Sequence, residues 1–309
     1  APRSPDRAPC ARAAGDGTAS PPKLREAVSG PDRIVRFQVA GTIALASALV
    51  VAGPNLTIDG FSAPAPGITL TTSTLEIPGD ANGPGLRGSN IIVQGLRIRD
   101  VSQDDSIRIA YNAHNIVIDH CSVSNSGDGD MDVTEGAFDV TLSYNILSRN
   151  TASGASLLSS NASRVTYHHN IFIGSRDRNP ILTCDYTQNY STGAPHTDIL
   201  ADVRYNLMWD YGIGTYVLSS DTCVGAANVV ANLYQNDGST NPSNVVVRTA
   251  YGAATRADAH IAANAAVHDP RGCAYSYNAN PCYDFPSTNS QNNHAEFAAP
   301  PVTGAAPTD

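Results

Sequence analysis

Asn115-Ile-Val-Ile-Asp-His-Cys121 is short, β-branched and closed by polar residues, and it recurs along the chain. Over it lie Asn55-Leu-Thr-Ile-Asp-Gly-Phe61, Asn90-Ile-Ile-Val-Gln-Gly-Leu96, Asp139-Val-Thr-Leu-Ser-Tyr-Asn145 and Arg164-Val-Thr-Tyr-His-His-Asn170, with looser copies ending at Asn206 and Asn232. From Phe61 through Leu96, Cys121, Asn145, Asn170 and Asn206 to Asn232 the closing positions step by 35, 25, 24, 25, 36 and 26 residues. A repeat of that period marks a solenoid. Val, Ile, Thr and Tyr bounded by Gly, Asn, Ser and Asp favour strand and turn over helix, so each copy fits one turn of a parallel β-helix.

Asn145, Asn170, Asn206 and Asn232 share one repeat position. Stacked coils would set each amide above the next, in hydrogen-bonding reach along a ladder. The two long steps, 61 to 96 and 170 to 206, each leave about ten extra residues, expected as loops on one side of the solenoid, where binding sites gather.

The 309 residues exceed the usual length of one globular core, which a solenoid escapes by adding turns. A formal net charge of −9 argues against a nucleic acid partner. Lys23 is the one lysine beside eighteen arginines, so a catalytic cation within the repeats must be Arg, His or a metal. Ile43 to Ala52, the longest largely apolar stretch, is too short to span a membrane. The start, Ala1-Pro-Arg-Ser, reads as a processed terminus.

Among six cysteines, Cys273–Cys282 and Cys184–Cys223 are the expected disulfides; Cys121, at the ladder position, is either a buried thiol or the partner of Cys10. Residues 1–33 read as a cap with a short helix near Leu24 to Val28, residues 34–250 as the β-helix, and 251–309 as a second cap and tail. Caps are what a solenoid needs at its open ends. The expected molecule is secreted and monomeric.

The run Asp119-His-Cys-Ser-Val-Ser-Asn-Ser-Gly-Asp128-Gly-Asp130-Met-Asp132 crowds carboxylates into the middle of the repeat. Acids that close repel unless a cation lies among them. Turn-forming Asp and Gly are the plainer reading of the same residues.

With Gly41-Thr-Ile, Leu56-Thr-Ile-Asp-Gly-Phe-Ser-Ala-Pro-Ala-Pro-Gly67, Ile118-Asp-His-Cys-Ser-Val-Ser124, Asp139-Val-Thr-Leu-Ser-Tyr-Asn145, Tyr167-His-His-Asn170 and Arg178-Asn-Pro180 following in order, the chain resembles pectate lyases of the right-handed parallel β-helix type over residues 24–235. The resemblance implies an all-β right-handed solenoid that cleaves polygalacturonate by calcium-assisted β-elimination. It implies that Asp105, Asp128 and Asp132 hold Ca2+, which suits a hard cation that takes several oxygens. Arg178 of the Arg-x-Pro motif is implied as the group that takes the C5 proton, or else it stabilises the developing enolate charge while hydroxide or another group takes it, with Arg176 as a nearby substitute or clamp. The first role is unusual for a guanidinium, which holds its proton strongly. Asp104 and Asp130 are spare acids, able to assist or face solvent. His168 and His169 end a strand, so alternation should point one outward; packing is the plainer reading of the pair, with His169 the candidate substrate contact otherwise, and Tyr186 could line a sugar groove by stacking. Tyr167 and Tyr211 are further candidates for stacking on sugar.

Two departures weaken the match to pectate. Gly154-Ala-Ser-Leu-Leu158 lacks the family's substrate-binding Lys, and Thr183 stands where a second Arg is usual. Three alternatives stay open: a lyase on another uronate polymer, an inverting glycoside hydrolase using Asp128 and Asp132 around a water, and a solenoid that binds carbohydrate without turnover.

Overall fold

The computed structural model describes residues 23–150, 154–184, 193–220, 223–235, 247–248 and 257–267. Among them, parallel strands stack into three sheets of nine, nine and eight, and the chain visits the sheets in rotation, one strand of each per coil. The coil containing Asn115 shows the order: His114–Asp119 in the first sheet, Ser122–Ser126 in the second, Met131–Val133 in the third. This is the expected parallel β-helix.

Alternation along each strand sends every second residue inward, and the register aligns like with like. Val35, Ile58, Val93, Ile118, Leu142, Tyr167, Val203, Val229 and Ile261 form one inward column of the first sheet, all buried. Burying each such side chain contributes roughly 1.5–3 kcal/mol as an upper estimate. A neighbouring column shrinks along the axis from Ile91, Ile116, Val140 and Val165 to Ala201, Ala227 and Ala259. A buried column of the second sheet grows in the same direction, from Val123 and Leu147 to Phe172, Met208 and Tyr234. Tyr234 is fully buried because its hydroxyl shares a 2.8 Å hydrogen bond with that of Thr215.

The turn from first to second sheet carries the asparagine ladder. Asn145, Asn170, Asn206 and Asn232 are buried, and Asn264 adds a fifth member. Asn170 is typical. Its Oδ1 accepts the Asn145 N–H at 2.9 Å and the Asn145 Nδ2 at 3.1 Å, while its own Nδ2 donates to the Leu142 carbonyl at 2.7 Å and to Asn206 Oδ1 at 3.1 Å. The ladder ends at Cys121, whose N–H donates to Asn145 Oδ1 at 2.8 Å and whose thiol is buried and free. Burial pushes that thiol up to about 12.

Strands Ala257–Ala262 and Ala265–Val267 pair in register with the preceding coil, so the solenoid runs on past residue 250, where the repeats were expected to stop. The helix Leu24–Ala27 lies where expected, and Leu24, Ala27 and Val28 join the buried cluster at the start of the coil. Cys184 and Cys223 form the expected disulfide; Cys10, Cys273 and Cys282 lie outside the described residues.

Of the two long steps, 170 to 206 takes its extra residues in the turn from third to first sheet, while 61 to 96 divides them between residues 60–67, leading from first to second sheet, and residues 79–88, leading from third to first. Residues 79–88 and the described part of 184–198 approach each other there: a Cβ added to Gly193 would lie 3.1 Å from the Asn82 carbonyl oxygen. The third sheet thus has long loops along one border and the acid-rich turn along the other.

Candidate active site

The turn leading from the second sheet into the third brings Asp105, Asp128, Asp132 and Arg178 together from three coils. Asp105 is largely buried, and its Oδ1 accepts the Gly129 N–H at 2.8 Å. Asp132 Oδ1 accepts the Leu157 N–H at 2.9 Å, and its Oδ2 faces Arg178 Nη1 at 3.6 Å. The same Nη1 donates to Asp128 Oδ1 at 3.1 Å, and Asp128 remains half exposed.

Two glycines make this crowding possible. A Cβ on Gly129 would sit 2.1 Å from Asp132 Oδ1, and one on Gly154 would sit 2.6 Å from Arg178 Cβ. Either side chain would push the charged group out of place. Asn150, which the sequence did not single out, ties the turn together: its Nδ2 donates to the Asp128 carbonyl and its Oδ1 accepts the Gly154 N–H at 3.1 Å.

Electrostatics reflect the crowding. Burial, followed by the charges of Asp128 and Asp104, raises Asp105 to about 6 against the restraint of the Gly129 N–H. Burial and then repulsion by Asp105 push Asp132 well above the usual carboxylate range, although Arg178 pulls it down. A site that holds its acids in this way favours positive charge. Oxygen donors of this kind suit a hard divalent cation, and the three aspartates are the residues able to hold one. Among the described residues, no three His, Cys, Asp or Glu side chains close around a common point as metal ligands. Here Arg178 Nη1 supplies positive charge beside Asp128 and Asp132.

Several expected site residues lie elsewhere. Asp130 does not face solvent: it points into the coil, its Oδ1 accepting the Ser126 hydroxyl at 2.6 Å, and burial raises it to about 8. Asp104 is exposed and accepts the Asp105 N–H at 2.9 Å. Arg176 is exposed on the same turn as Arg178. His169 is on the ladder turn instead, between the rings of Tyr144 at 4.8 Å and Tyr205 at 5.3 Å, and is not brought to the acids. The strand ends at His168, and His169 takes a left-handed backbone with φ 56°, so alternation does not govern where it points. Tyr167 and Tyr211 are buried in the core and unavailable to a sugar. Tyr186 lies outside the described residues.

The coil of three parallel sheets matches known proteins in two ways. The family model described as "Right handed beta helix region" matches residues 69–194. The structure of a Bacillus sp. pectate lyase in complex with trigalacturonate superposes with a TM-score of 0.53 at 18% identity, covering 83% of this chain and 80% of that one. The architecture is therefore a right-handed parallel β-helix.

Sequence relatives narrow this class. "Probable pectate lyase C" of Aspergillus terreus is 31% identical over 229 residues, 71% of this chain and 48% of the relative. "Probable pectate lyase 4" of Arabidopsis thaliana is 35% identical over 136 residues, 41% of this chain and 33% of the relative. The chain is a pectate lyase-like right-handed β-helix that spans about half the length of the Aspergillus relative or less of the plant one.

Proposed function

We propose that this chain is a secreted, calcium-assisted lyase that cleaves polygalacturonate by β-elimination. One observation carries the reading most: Asp105, Asp128 and Asp132 from two adjacent coils and Arg178 from two coils further on converge beside the outward face of the third sheet, with Asp105 and Asp132 raised by burial and by neighbouring carboxylates. The pectate lyase relatives and the trigalacturonate bound to a protein of the same fold support a uronate polymer as substrate. The Cys184–Cys223 disulfide supports an oxidising compartment.

Elimination breaks the C5–H and C4–O4 bonds of a galacturonate and forms a C4–C5 double bond; the C5 proton goes to a base and the departing O4 is protonated. Bound calcium would neutralise the uronate carboxylate and so stabilise the enolate that develops as the proton leaves. Asp105, Asp128 and Asp132 would hold the ion. Gly129 and Leu157 fix two of these carboxylates by backbone N–H bonds, which limits reorganisation. Arg178 is the group aligned with the acids to act at C5. With Asp128 and Asp132 engaged by a cation, its guanidinium loses the anions that hold its proton, the condition for service as a base. Arg176, exposed on the same turn, is placed to meet a further carboxylate.

The test is ultraviolet absorbance from unsaturated uronate during incubation with polygalacturonate at alkaline pH, with calcium and with chelator, for wild type and Arg178→Ala. A signal that requires both calcium and Arg178 is expected. Saturated products, or a rate indifferent to chelator, would sink the reading.

A further inference from the structure

We propose that Arg108 is a second carboxylate clamp for the substrate, a specificity-determining residue on the outward face of the third sheet. The inference rests on the uronate-polymer reading above and goes beyond it by naming a contact outside the acid-and-arginine turn.

Arg108 sits in the third-sheet strand Ile107–Ala110, and its register partners are Glu76 on one coil and Asp132 on the next. All three belong to the outward row, which continues through Leu157, Ile181 and Tyr216. Among the described side chains of that row, Arg108 is the cation. It lies one strand spacing from Asp132, about 4.8 Å, on the scale of one sugar along an extended chain. Arg108 and Asp105 also feel each other's charge. A polymer engaged at the acids and laid along the sheet would pass over it.

The side chain is held for such a task. Nη2 donates to Glu135 Oε1 at 2.8 Å and reaches the Tyr111 hydroxyl at 3.4 Å, and the guanidinium carbon stands 5.3 Å from the centre of the Tyr111 ring. Tyr111 and Glu135 are both left-handed turn residues just beyond their strands, at φ 57° and 53°, so the two coils clamp the arginine from the same border. Glu135 is nearly buried while Arg108 keeps a quarter of its side-chain surface exposed. The fork's hydrogen bonds run through Nη2, which leaves Nε–H and the Nη1 hydrogens, on different sides of the fork, each able to donate singly to a carboxylate. Meanwhile the two positions at which the resemblance to pectate lyases implies a cation hold none: Gly154 to Leu158 contains no lysine, and Thr183 is buried. Arg108 supplies a cation on the same sheet by another route.

A purely structural Arg–Glu pair would give the same contacts, so the test reads binding apart from folding and turnover. Hexagalacturonate and neutral cellohexaose are titrated calorimetrically, with calcium, into Arg178→Ala protein carrying Arg108, Arg108→Gln or Arg108→Lys. KM and kcat on polygalacturonate are measured for the same Arg108 variants with Arg178 intact. The clamp predicts that Arg108→Gln weakens hexagalacturonate binding about tenfold or more, that Arg108→Lys loses less, and that KM rises by a similar factor while kcat stays within about twofold. Should Arg108→Gln lower the melting temperature, Arg108→Gln with Glu135→Gln removes the buried unpaired acid and is read in its place. Unchanged affinity and KM in a folded variant, or no hexagalacturonate binding by any protein, overturns the clamp. Arg108-dependent binding without elimination by the wild type would uphold it and overturn the lyase reading instead.

Discussion

The two turns that flank the second sheet answer the same stacking problem in opposite ways. On the ladder turn, coil after coil repeats a neutral amide, and each amide uses its neighbours to satisfy both donor and acceptor. On the opposite turn, successive coils set carboxylate near carboxylate, and Asp105 and Asp132 are raised by it. Repetition along a solenoid thus stabilises groups that pair with copies of themselves and strains groups that repel them. The strained turn is the one suited to an external cation.

Exchanging what each turn provides should break the comparison most visibly. Arg178→Ala is expected to lower kcat on polygalacturonate by roughly 10²–10⁴-fold. Its lowered melting temperature should be restored by calcium, since a ligand at a hundred times its Kd adds about 2.7 kcal/mol. Calcium should leave the deficit of the ladder variant Asn170→Ala untouched. That substitution removes four hydrogen bonds and strands buried partners, so a loss of about 3–4 kcal/mol in urea unfolding is expected, with KM unchanged. Unequal melting responses to calcium are the critical readout; equal responses would mean that the two turns do not differ as described.

The third turn is stapled covalently, which gives a control between these extremes. Cys184 and Cys223 are 39 residues apart, and opening their bond with reductant should cost about 2–4 kcal/mol at any calcium concentration, measured as a shift in urea midpoint.

The smallest effect expected is a difference in pH slope. His168, beside the ladder turn, has its pKa lowered by burial and then by His169. A depressed folded pKa gives stability that is complete above the ordinary histidine value of about 6.5 and is lost as pH falls through the folded value. Asp105 works the other way: raised to about 6, it gives stability that is complete below its ordinary pKa and lost as pH rises towards 6. Urea midpoints should therefore fall less steeply on acidification in His168→Gln, and fall less from pH 4 to 6 in Asp105→Asn. An identical slope in both variants and wild type would remove these groups from the account.

The ladder was legible because an amide that must meet its copy has to recur at one repeat position, and Asn145, Asn170, Asn206 and Asn232 do. Asn264 escaped notice because its coil, with Ala257, Ala259, Ala262 and Ala265, lacks the β-branched signature of a strand. Asp105, Asp128, Asp132 and Arg178 were located through resemblance to a family, and the structure brings them together. His169 was misplaced because its strand ends at His168 and alternation does not extend through a turn; Asp130, left open between assisting the acids and facing solvent, is buried against Ser126. A second amide row was also missed: Asn115 donates to Asn90, Asn90 to Asn55, and Asn55 to Asp32 on the exposed start of the first sheet. Arg108 could not be singled out, since its meaning comes from neighbours about 27 residues away in sequence.

The ladder bond is blind to how much chain lies between its partners. Asn145 and Asn170, 25 residues apart, and Asn170 and Asn206, 36 apart, meet at the same 2.9 Å and 3.1 Å. Insertions are therefore exported to the other turns, and the axial length of the molecule changes only in whole coils. A deletion that removes one complete coil would rejoin amide to amide, whereas a shorter cut within a strand would leave an amide facing a mismatched neighbour. Along its axis this protein is counted rather than measured, and its evolution is free to edit the loops that border the third sheet without retuning the amide spine.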